Sequence, residues 1–326
     1  MHPAFSVIFL TTLIGAGQGL FLALYTVELY SLFDLLPEQE SRTFYAPGAA
    51  IALGLLALGL LASFFHLGRP ERGWRAAARW RTSWLSREVI VLPAFMAAVA
   101  AYWLVHWAGW REPRFAPAAG LEVTPSAAIG AAATVLAFAL YLCTGMIYAC
   151  IRFLQEWASP LTVINYLLLG GASGFTLATA FAGYSAPALV PFLGGWAAVL
   201  TGIALVTRAA SLVRNARLRP KSTLQTAIGV KHPRIVQTAQ GFMGGSFNTR
   251  EFFHGRTRAF VRAIKWTFLV LVFPVPVALL GAGIAAGSAA LLALAFAAQY
   301  VGLLAERWFF FAQANHPQNL YYQAIA

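Results

Sequence analysis

Eight long apolar runs constrain this chain more than any other feature. An α-helix of about 17–25 apolar residues is long enough to cross the hydrocarbon core of a bilayer. The runs are continuous and do not alternate with a period of two, so they predict helices, which satisfy their own backbone hydrogen bonds in lipid, and argue against a transmembrane barrel. We therefore expect an all-α integral membrane protein, a bundle of eight transmembrane helices forming a single membrane domain over residues 1–326. The spans lie near residues 5–30, 46–66, 88–109, 126–149, 160–182, 188–212, 265–281 and 284–305.

The distribution of arginine and lysine predicts the orientation of these spans. With an even number of spans both termini share one side of the membrane, together with the links 66–87, 150–159 and 213–264. That side holds 20 of the 23 Lys and Arg residues. Cytoplasmic loops are enriched in these residues, so we expect both termini in the cytoplasm. The net charge of +12 is then a signal of orientation and of contact with lipid headgroups, and nucleic-acid binding explains it poorly.

The sequence offers little for a metal centre. An iron–sulfur cluster needs about four thiolates, whereas the chain has only Cys143 and Cys150. Two histidines, His66 and His106, lie near spans, but at opposite membrane faces. They cannot ligate one haem iron together, which leaves a pair of one histidine and one methionine as the alternative. We expect neither a metal site nor a haem in this chain.

A titratable pair at the basic face is the strongest candidate site. His66 ends the second span and Glu88 opens the third, at the same depth. Histidine titrates near neutral pH and ionisable residues in membrane segments are often functional. A quinone headgroup needs hydrogen-bond partners, a proton route and an apolar slot for its tail, which this region offers. We therefore expect His66 to contact a quinone oxygen and Glu88 to relay protons.

Further residues are candidates for the same quinone site. Gly68 permits close backbone approach, Arg69, Ser86 and Arg87 can donate hydrogen bonds, and Gln18 of the segment GAGQG could face the same cavity. A structural interpretation stands beside each: the histidine can cap a helix, the glutamate can complement a helix dipole, and the glycines around Gln18 can serve close helix packing.

The link 213–264 is too long to be a mere connector between packed helices. It mixes basic residues with Ile, Val, Phe and Met. A solvated loop is one interpretation, and a folded segment that docks a partner protein is the one that its hydrophobicity favours. We expect the links 66–87 and 213–264 to meet the partner on the cytoplasmic face.

Two segments carry a resemblance to a known family. HLGRPERGWRA, from residue 66, followed by TSWLSREV, from residue 82, resembles the membrane-anchor subunits of dimethyl sulfoxide reductase. The opening MHPAFSVIFLTTLIGAGQG, the segment VKHPRIVQTAQGFMGGSFNTREFFHG and the ending ERWFFFAQANHPQNLYYQ further resemble the anchors of sulfite-oxidising members of that family.

The resemblance implies a set of partners and a location. A molybdenum catalytic subunit would carry a molybdopterin guanine dinucleotide cofactor, and a ferredoxin-like subunit would carry [4Fe–4S] clusters. The family's quinone-site histidine and acidic residue match His66 and Glu88, and family anchors of this kind carry no haem. The protein would be a multi-pass protein of the bacterial inner (cytoplasmic) membrane.

The expected function is that of a quinone-binding anchor subunit of an oxidoreductase, inactive alone. It would pass electrons between a [4Fe–4S] cluster of its partner and the membrane pool of ubiquinone or menaquinone, with sulfite oxidation to sulfate as the preferred reaction. One alternative is an anchor of a dimethyl sulfoxide reductase-type enzyme that oxidises quinol. Another is a secondary anion transporter, against which we note that no charged residue is predicted deep in a span. A purely structural anchor is the third.

Overall fold

The computed structural model describes residues 1–110, 115–118, 121–236, 238 and 252–321. These residues form eleven α-helices, three short 3₁₀- or π-helical segments and one antiparallel pair of short strands, β1 (Phe115–Ala118) and β2 (Leu121–Val123). The helices are α1 (Phe5–Leu32), α2 (Ala46–Phe64), α3 (Trp84–Ala108), α4 (Pro125–Ala149), α5 (Pro160–Ser185), α6 (Val190–Ala216), α7 (Leu224–Ile228), α8 (Arg258–Val272), α9 (Pro274–Ala286), α10 (Ala289–Ala312) and α11 (Gln318–Tyr321).

The eight predicted spans are confirmed. Within the described part of the sequence, eight helical segments are long and apolar enough to cross a membrane, and the seventh consists of α8 and α9 together. The Met1 amine donates a hydrogen bond of 2.8 Å to the Ala314 carbonyl just beyond α10. The first residue therefore lies beside the segment that follows the last span. We call this end of the bundle the basic end because the arginine-rich links lie there too.

The turn between the last two spans lies later than the sequence predicts. We expected it between residues 281 and 284, whereas α9 continues to Ala286 and α10 begins at Ala289. Gly287 adopts the left-handed conformation with φ of +60° that closes a helix, and the Ser288 side chain accepts a hydrogen bond from the Leu291 amide. Glycine adopts this conformation without a steric penalty, so Gly287 ends the helix although Gly281 and Gly283 precede it.

The seventh span is interrupted at Phe273, between α8 and α9. Pro274 and Pro276 lack the amide hydrogens that would continue the helical ladder. The Gln299 side chain of α10 donates a hydrogen bond of 3.3 Å to the Val272 carbonyl at the break. A neighbouring helix thus satisfies one of the backbone groups that the prolines leave open, as hydrocarbon surroundings require.

Helix α1 lies in the middle of the bundle and packs directly on α5. Its GAGQG segment meets the glycine-rich segment that starts at Gly170, and a Cβ atom built on Gly174 would overlap the backbone around Gly19. Small residues at such a contact let two backbones approach closely, which is how helices gain packing energy in lipid. The glycines beside Gln18 therefore serve close packing.

The links at the basic end are partly ordered against the bundle. The first contains a 3₁₀-helix, Pro70–Arg79, whose residues are largely exposed, and Trp74 and Trp80 carry arginine side chains over their rings. At the end of the long link, the Phe252 ring stacks on His316 at 3.7 Å. The middle of that link, residues 239–251, lies outside the described residues, so the predicted partner-docking segment is seen only at its two ends.

Replacing Gly174 by valine should strongly destabilise the protein, because the added side chain would force α5 away from α1. Overpacking of this kind costs about 1–3 kcal/mol or more. The measurement is the thermal unfolding midpoint of the detergent-solubilised protein. Gly202→Val is the matched control, since nothing lies within 4 Å of a Cβ at Gly202. Equal midpoints for the two variants would contradict the packing described for α1 and α5.

Candidate functional site

A narrow cavity lies between α1, α3, α4, α5 and α10, inside the basic end of the bundle. Its volume is about 30 Å³, which is room for a water molecule and too little for a quinone ring unless side chains move. Leucines form part of the wall, and the polar wall residues include Thr11, Gln18, Glu88, Thr144, Tyr166 and Arg307. A buried carboxylate, an amide and a guanidinium thus share one enclosed space.

Glu88 enters this cavity from the second turn of α3. Ser83 caps that helix, because its hydroxyl accepts a hydrogen bond of 3.3 Å from the Ser86 amide. The carboxylate is 8% exposed and accepts a short hydrogen bond from the Thr144 hydroxyl of α4. A carboxylate in apolar surroundings with a hydroxyl partner is suited to taking up and releasing protons.

The structure brings Gln18 to the same cavity as Glu88. Its Nε2 atom donates a hydrogen bond of 2.9 Å to the Ala137 carbonyl of α4. Three residues earlier, the Gly15 carbonyl accepts a hydrogen bond of 2.9 Å from Tyr141. Gln18 therefore both lines the cavity and ties α1 to α4.

His66, Gly68 and Arg69 lie outside the cavity wall, exposed on the basic link just beyond α2. Partial desolvation lowers the pKa of His66 below its ordinary value. The imidazole is therefore mostly neutral at neutral pH, and its ring can either donate or accept a hydrogen bond. The sequence predicted that His66 and Glu88 share a depth, and both are indeed at the basic end, but only Glu88 reaches the cavity.

Ser86 and Arg87 also do not line the cavity. Arg87 donates hydrogen bonds of 2.9 Å from Nε to the Trp80 carbonyl and from Nη2 to the Arg81 carbonyl, and its guanidinium lies 4.1 Å from the Trp84 ring centre. These contacts fix the end of the basic link against the start of α3. The donors of Arg87 are thus directed to the protein backbone.

A buried ion cluster borders the cavity and was missed from the sequence. Glu306 of α10 is fully buried and pairs with Arg208 of α6 at 2.7 Å and with the adjacent Arg307 at 2.5 Å. The three charged side chains lie inside α6 and α10, within about two turns of the ends of these helices. The predicted spans ended at residues 212 and 305, whereas α10 runs on to Ala312, so Glu306 and Arg307 lie inside the helix. The apolar run WFFFA after Arg307 is the signal that could have extended the span.

A second, larger cleft of about 650 Å³ opens at the opposite end of the bundle. Glu28 accepts hydrogen bonds of 2.7 Å from Tyr102 and 2.5 Å from Ser126, and its Oε1 atom lies 3.7 Å from Nε2 of His106. The buried ring of Phe21 lies between Gln18 and Glu28 along α1. The two polar regions are therefore separated by an apolar layer. As the sequence predicted, His106 lies at the opposite end of the bundle from His66.

No group of three or more His, Cys, Asp and Glu side chains that could hold a metal ion occurs among the described residues. The cavity at the basic end is lined by a different set of chemical groups. It offers a carboxylate, a carboxamide and a cation beside aliphatic side chains.

Comparison with known proteins identifies the family. The family model described as "DMSO reductase anchor subunit (DmsC)" matches residues 1–228. The chain is a member of the DMSO reductase anchor subunit family. It is also 59% identical to a sulfite dehydrogenase subunit of Allochromatium vinosum over 326 residues, which is 100% of each of the two proteins. A second relative, a subunit of the anaerobic dimethyl sulfoxide reductase of Haemophilus influenzae, is 35% identical over 75 residues, which is 22% of this chain and 27% of that protein.

This anchor subunit should lose much of its stability when Glu306 is replaced by glutamine, because two buried guanidinium groups would lose their shared carboxylate. Breaking a buried ion pair from one side costs about 3–5 kcal/mol. The unfolding midpoint in detergent measures the effect. The control is Glu71→Gln, which removes an exposed pair with Arg72 at 3.8 Å and should cost less than about 1 kcal/mol. A mild loss at Glu306 would show that its charges do not stabilise the fold.

Proposed function

We propose that this anchor subunit binds a membrane quinone at the basic end of the bundle and passes electrons to it from an iron–sulfur partner. The observation that carries the proposal is the cavity in which Glu88, Gln18 and Arg307 meet. Quinone reduction consumes two electrons and two protons, so the site needs a group that delivers protons. Glu88, buried and hydrogen-bonded to Thr144, fills that role as a proton relay.

Quinone binding would open the narrow cavity. Leu10, Leu169 and Leu303 form part of its wall, and leucine side chains change rotamer at small cost compared with a backbone shift. In this proposal His66 contacts the headgroup from the membrane surface, while Glu88 serves it from inside. The conformation of the link between His66 and α3 is set by Gly68 and Arg69 within it and by Ser86 and Arg87 in the first turn of α3. Gln18 contributes its amide to the cavity.

Sulfite oxidation is the proposed overall reaction. The full-length similarity to a sulfite dehydrogenase subunit supports it over an anchor that oxidises quinol for dimethyl sulfoxide reduction, since the relative from a dimethyl sulfoxide reductase matches only 75 residues. A molybdenum catalytic subunit would convert sulfite and water to sulfate, two protons and two electrons. The electrons would pass through [4Fe–4S] clusters and, with two protons, convert ubiquinone or menaquinone to quinol.

We further propose that the basic end faces the cytoplasm of a bacterium and carries the partners. Cytoplasmic ends of membrane proteins are rich in Lys and Arg, and both the basic link and the long link leave from this end. The iron–sulfur subunit would then dock above the cavity, so that electrons travel a short distance to the headgroup.

Replacing Glu88 by glutamine should abolish most quinone-linked turnover in the assembled complex, because the amide cannot relay protons. General acid–base groups contribute about 100-fold or more to rate. The measurement compares sulfite-dependent reduction of decylubiquinone or menadione with reduction of a soluble dye that takes electrons from the partner subunits directly. His66→Ala, tested beside it, should also lower quinone-linked turnover.

Glu28→Gln is the matched control, since it makes the same change in a largely buried carboxylate at the opposite end of the bundle. It should leave quinone-linked turnover within about twofold of wild type. The proposal fails if Glu88→Gln retains full quinone-linked turnover, or if both glutamine variants lose it equally.

The native cysteines test the orientation. Cys150 is exposed at the basic end of α4, whereas Cys143 is buried. A membrane-impermeant maleimide should therefore label the protein in inverted membrane vesicles and leave it unlabelled in intact spheroplasts. Cys150→Ser should remove the labelling. Labelling of intact spheroplasts at Cys150 would place the basic end on the outer side.

A further inference from the structure

Arg307 differs from its neighbours in facing two spaces at once. It lines the cavity that holds Glu88, and it also lines a smaller one of about 10 Å³ that reaches Glu156 and Gln313 at the end of the bundle. Its side chain is 5% exposed and its guanidinium carbon lies 4.2 Å from the Tyr166 ring centre. The residue therefore forms the wall between the candidate quinone cavity and the basic surface.

One nitrogen of the Arg307 guanidinium, Nη1, is available to donate a hydrogen bond to a ligand. Its Nε atom binds Glu306 at 2.5 Å, and the guanidinium also interacts with the Tyr166 hydroxyl. Its buried Nη1 atom meets no acceptor with good hydrogen-bond geometry among the described residues. Buried donors without a partner are costly, and an individual unsatisfied group in a native structure calls for an explanation. A ligand oxygen in the adjoining cavity would supply the missing acceptor.

The charge around Arg307 is also unbalanced. Two arginines share the single carboxylate of Glu306, which leaves a surplus of one positive charge in a membrane-buried position. Charges act over longer range in a low dielectric than in water. The surplus favours negative charge in the cavity, whether on Glu88 or on a headgroup that receives electrons before protons.

We propose that Arg307 is a headgroup-binding residue of this site, which donates a hydrogen bond to one quinone oxygen and favours electron arrival through its charge. This inference rests on the proposed quinone function and adds a residue that lies beyond the part of the sequence matched by the family model, residues 1–228. Glu88 delivers protons from one wall of the cavity, and Arg307 holds the oxygen from another. The two electrons and two protons of quinone reduction are those already named for the overall reaction.

Arg208 provides a control within the same cluster. It pairs with the same carboxylate and is as deeply buried, but it lines only the smaller cavity with Asn165 and Ser211 and not the one that holds Glu88. Removing either arginine leaves Glu306 with one partner and the cluster with no net charge. A purely structural role for the cluster thus predicts similar effects for both changes.

The experiment compares Arg307→Gln, Arg307→Lys and Arg208→Gln in the assembled complex, with decylubiquinone or menadione as acceptor, whichever the wild-type complex reduces. Co-purification of the partner subunits establishes assembly. We expect Arg307→Gln to raise the KM for the quinone about tenfold or more, as loss of a charge-assisted hydrogen bond predicts. Arg307→Lys should recover part of the loss. Arg208→Gln removes the same surplus charge but keeps the hydrogen bond from Arg307, so its KM should stay within about twofold of wild type, and the effect of the charge on electron arrival should be seen in kcat.

Equal KM changes for Arg307→Gln and Arg208→Gln would overturn the inference, as would an unchanged KM in Arg307→Gln. If the Arg307→Gln complex fails to assemble, Arg307→Lys is tested in its place. A KM of Arg307→Lys equal to that of wild type would then contradict direct binding. Failure of the quinone function itself has a different signature. In that case the wild-type complex reduces no quinone, or Glu88→Gln leaves its quinone turnover intact.

Discussion

The interaction on which the basic end depends is the pairing of one buried carboxylate with two guanidinium groups. Glu306 binds Arg208 of α6 and Arg307 of α10, and charges buried in a membrane protein persist only when they are paired or functional. The pairing joins two helices that are distant in sequence. It also sets the electrostatic character of the neighbouring cavity, because two cations share one anion there. In the function proposed above, this surplus of positive charge favours a ligand that gains electrons.

Close packing of α1 on α5 determines where that cavity can be. Backbone contact at Gly19 and Gly174 draws the two helices together. About two turns away along α1 and α5, Thr11 and Tyr166 line the cavity together with Tyr141 of α4. Gln18 lies between the close helix contact and the cavity. Its amide donates a hydrogen bond to the α4 backbone, and its side chain lines the cavity. At the far end, Glu28 and His106 form a second polar region behind the Phe21 layer.

Much of this architecture could be predicted from the sequence, because a helix needs a run of about 20 apolar residues to cross a bilayer. Three features follow from the lengths of the apolar runs: the eight spans, the position of Met1 beside the segment after the last span, and the placement of His66 and His106 at opposite ends. Glu88 and Gln18 were found because a polar residue in an apolar run is conspicuous. Glu306 and Arg307 were missed since they stand next to each other near a span end, where charges usually meet water. Their burial depends on Arg208, about a hundred residues away, and a pairing across the bundle leaves no local pattern. The position of the turn at Gly287 was missed for a similar reason. Any of three nearby glycines could end the helix, and the sequence does not show which of them adopts the left-handed conformation.

The central claim is that a quinone headgroup binds between Glu88 and Arg307, beside the partner-docking end. Electron cryo-microscopy of the assembled complex with bound decylubiquinone tests it most directly. We expect headgroup density in an opened form of this cavity, with one oxygen within hydrogen-bond distance of Arg307 and Glu88 facing the ring. Headgroup density in the cleft with Glu28 and His106, or on the outer surface of a bundle whose cavity stays closed, would contradict the account.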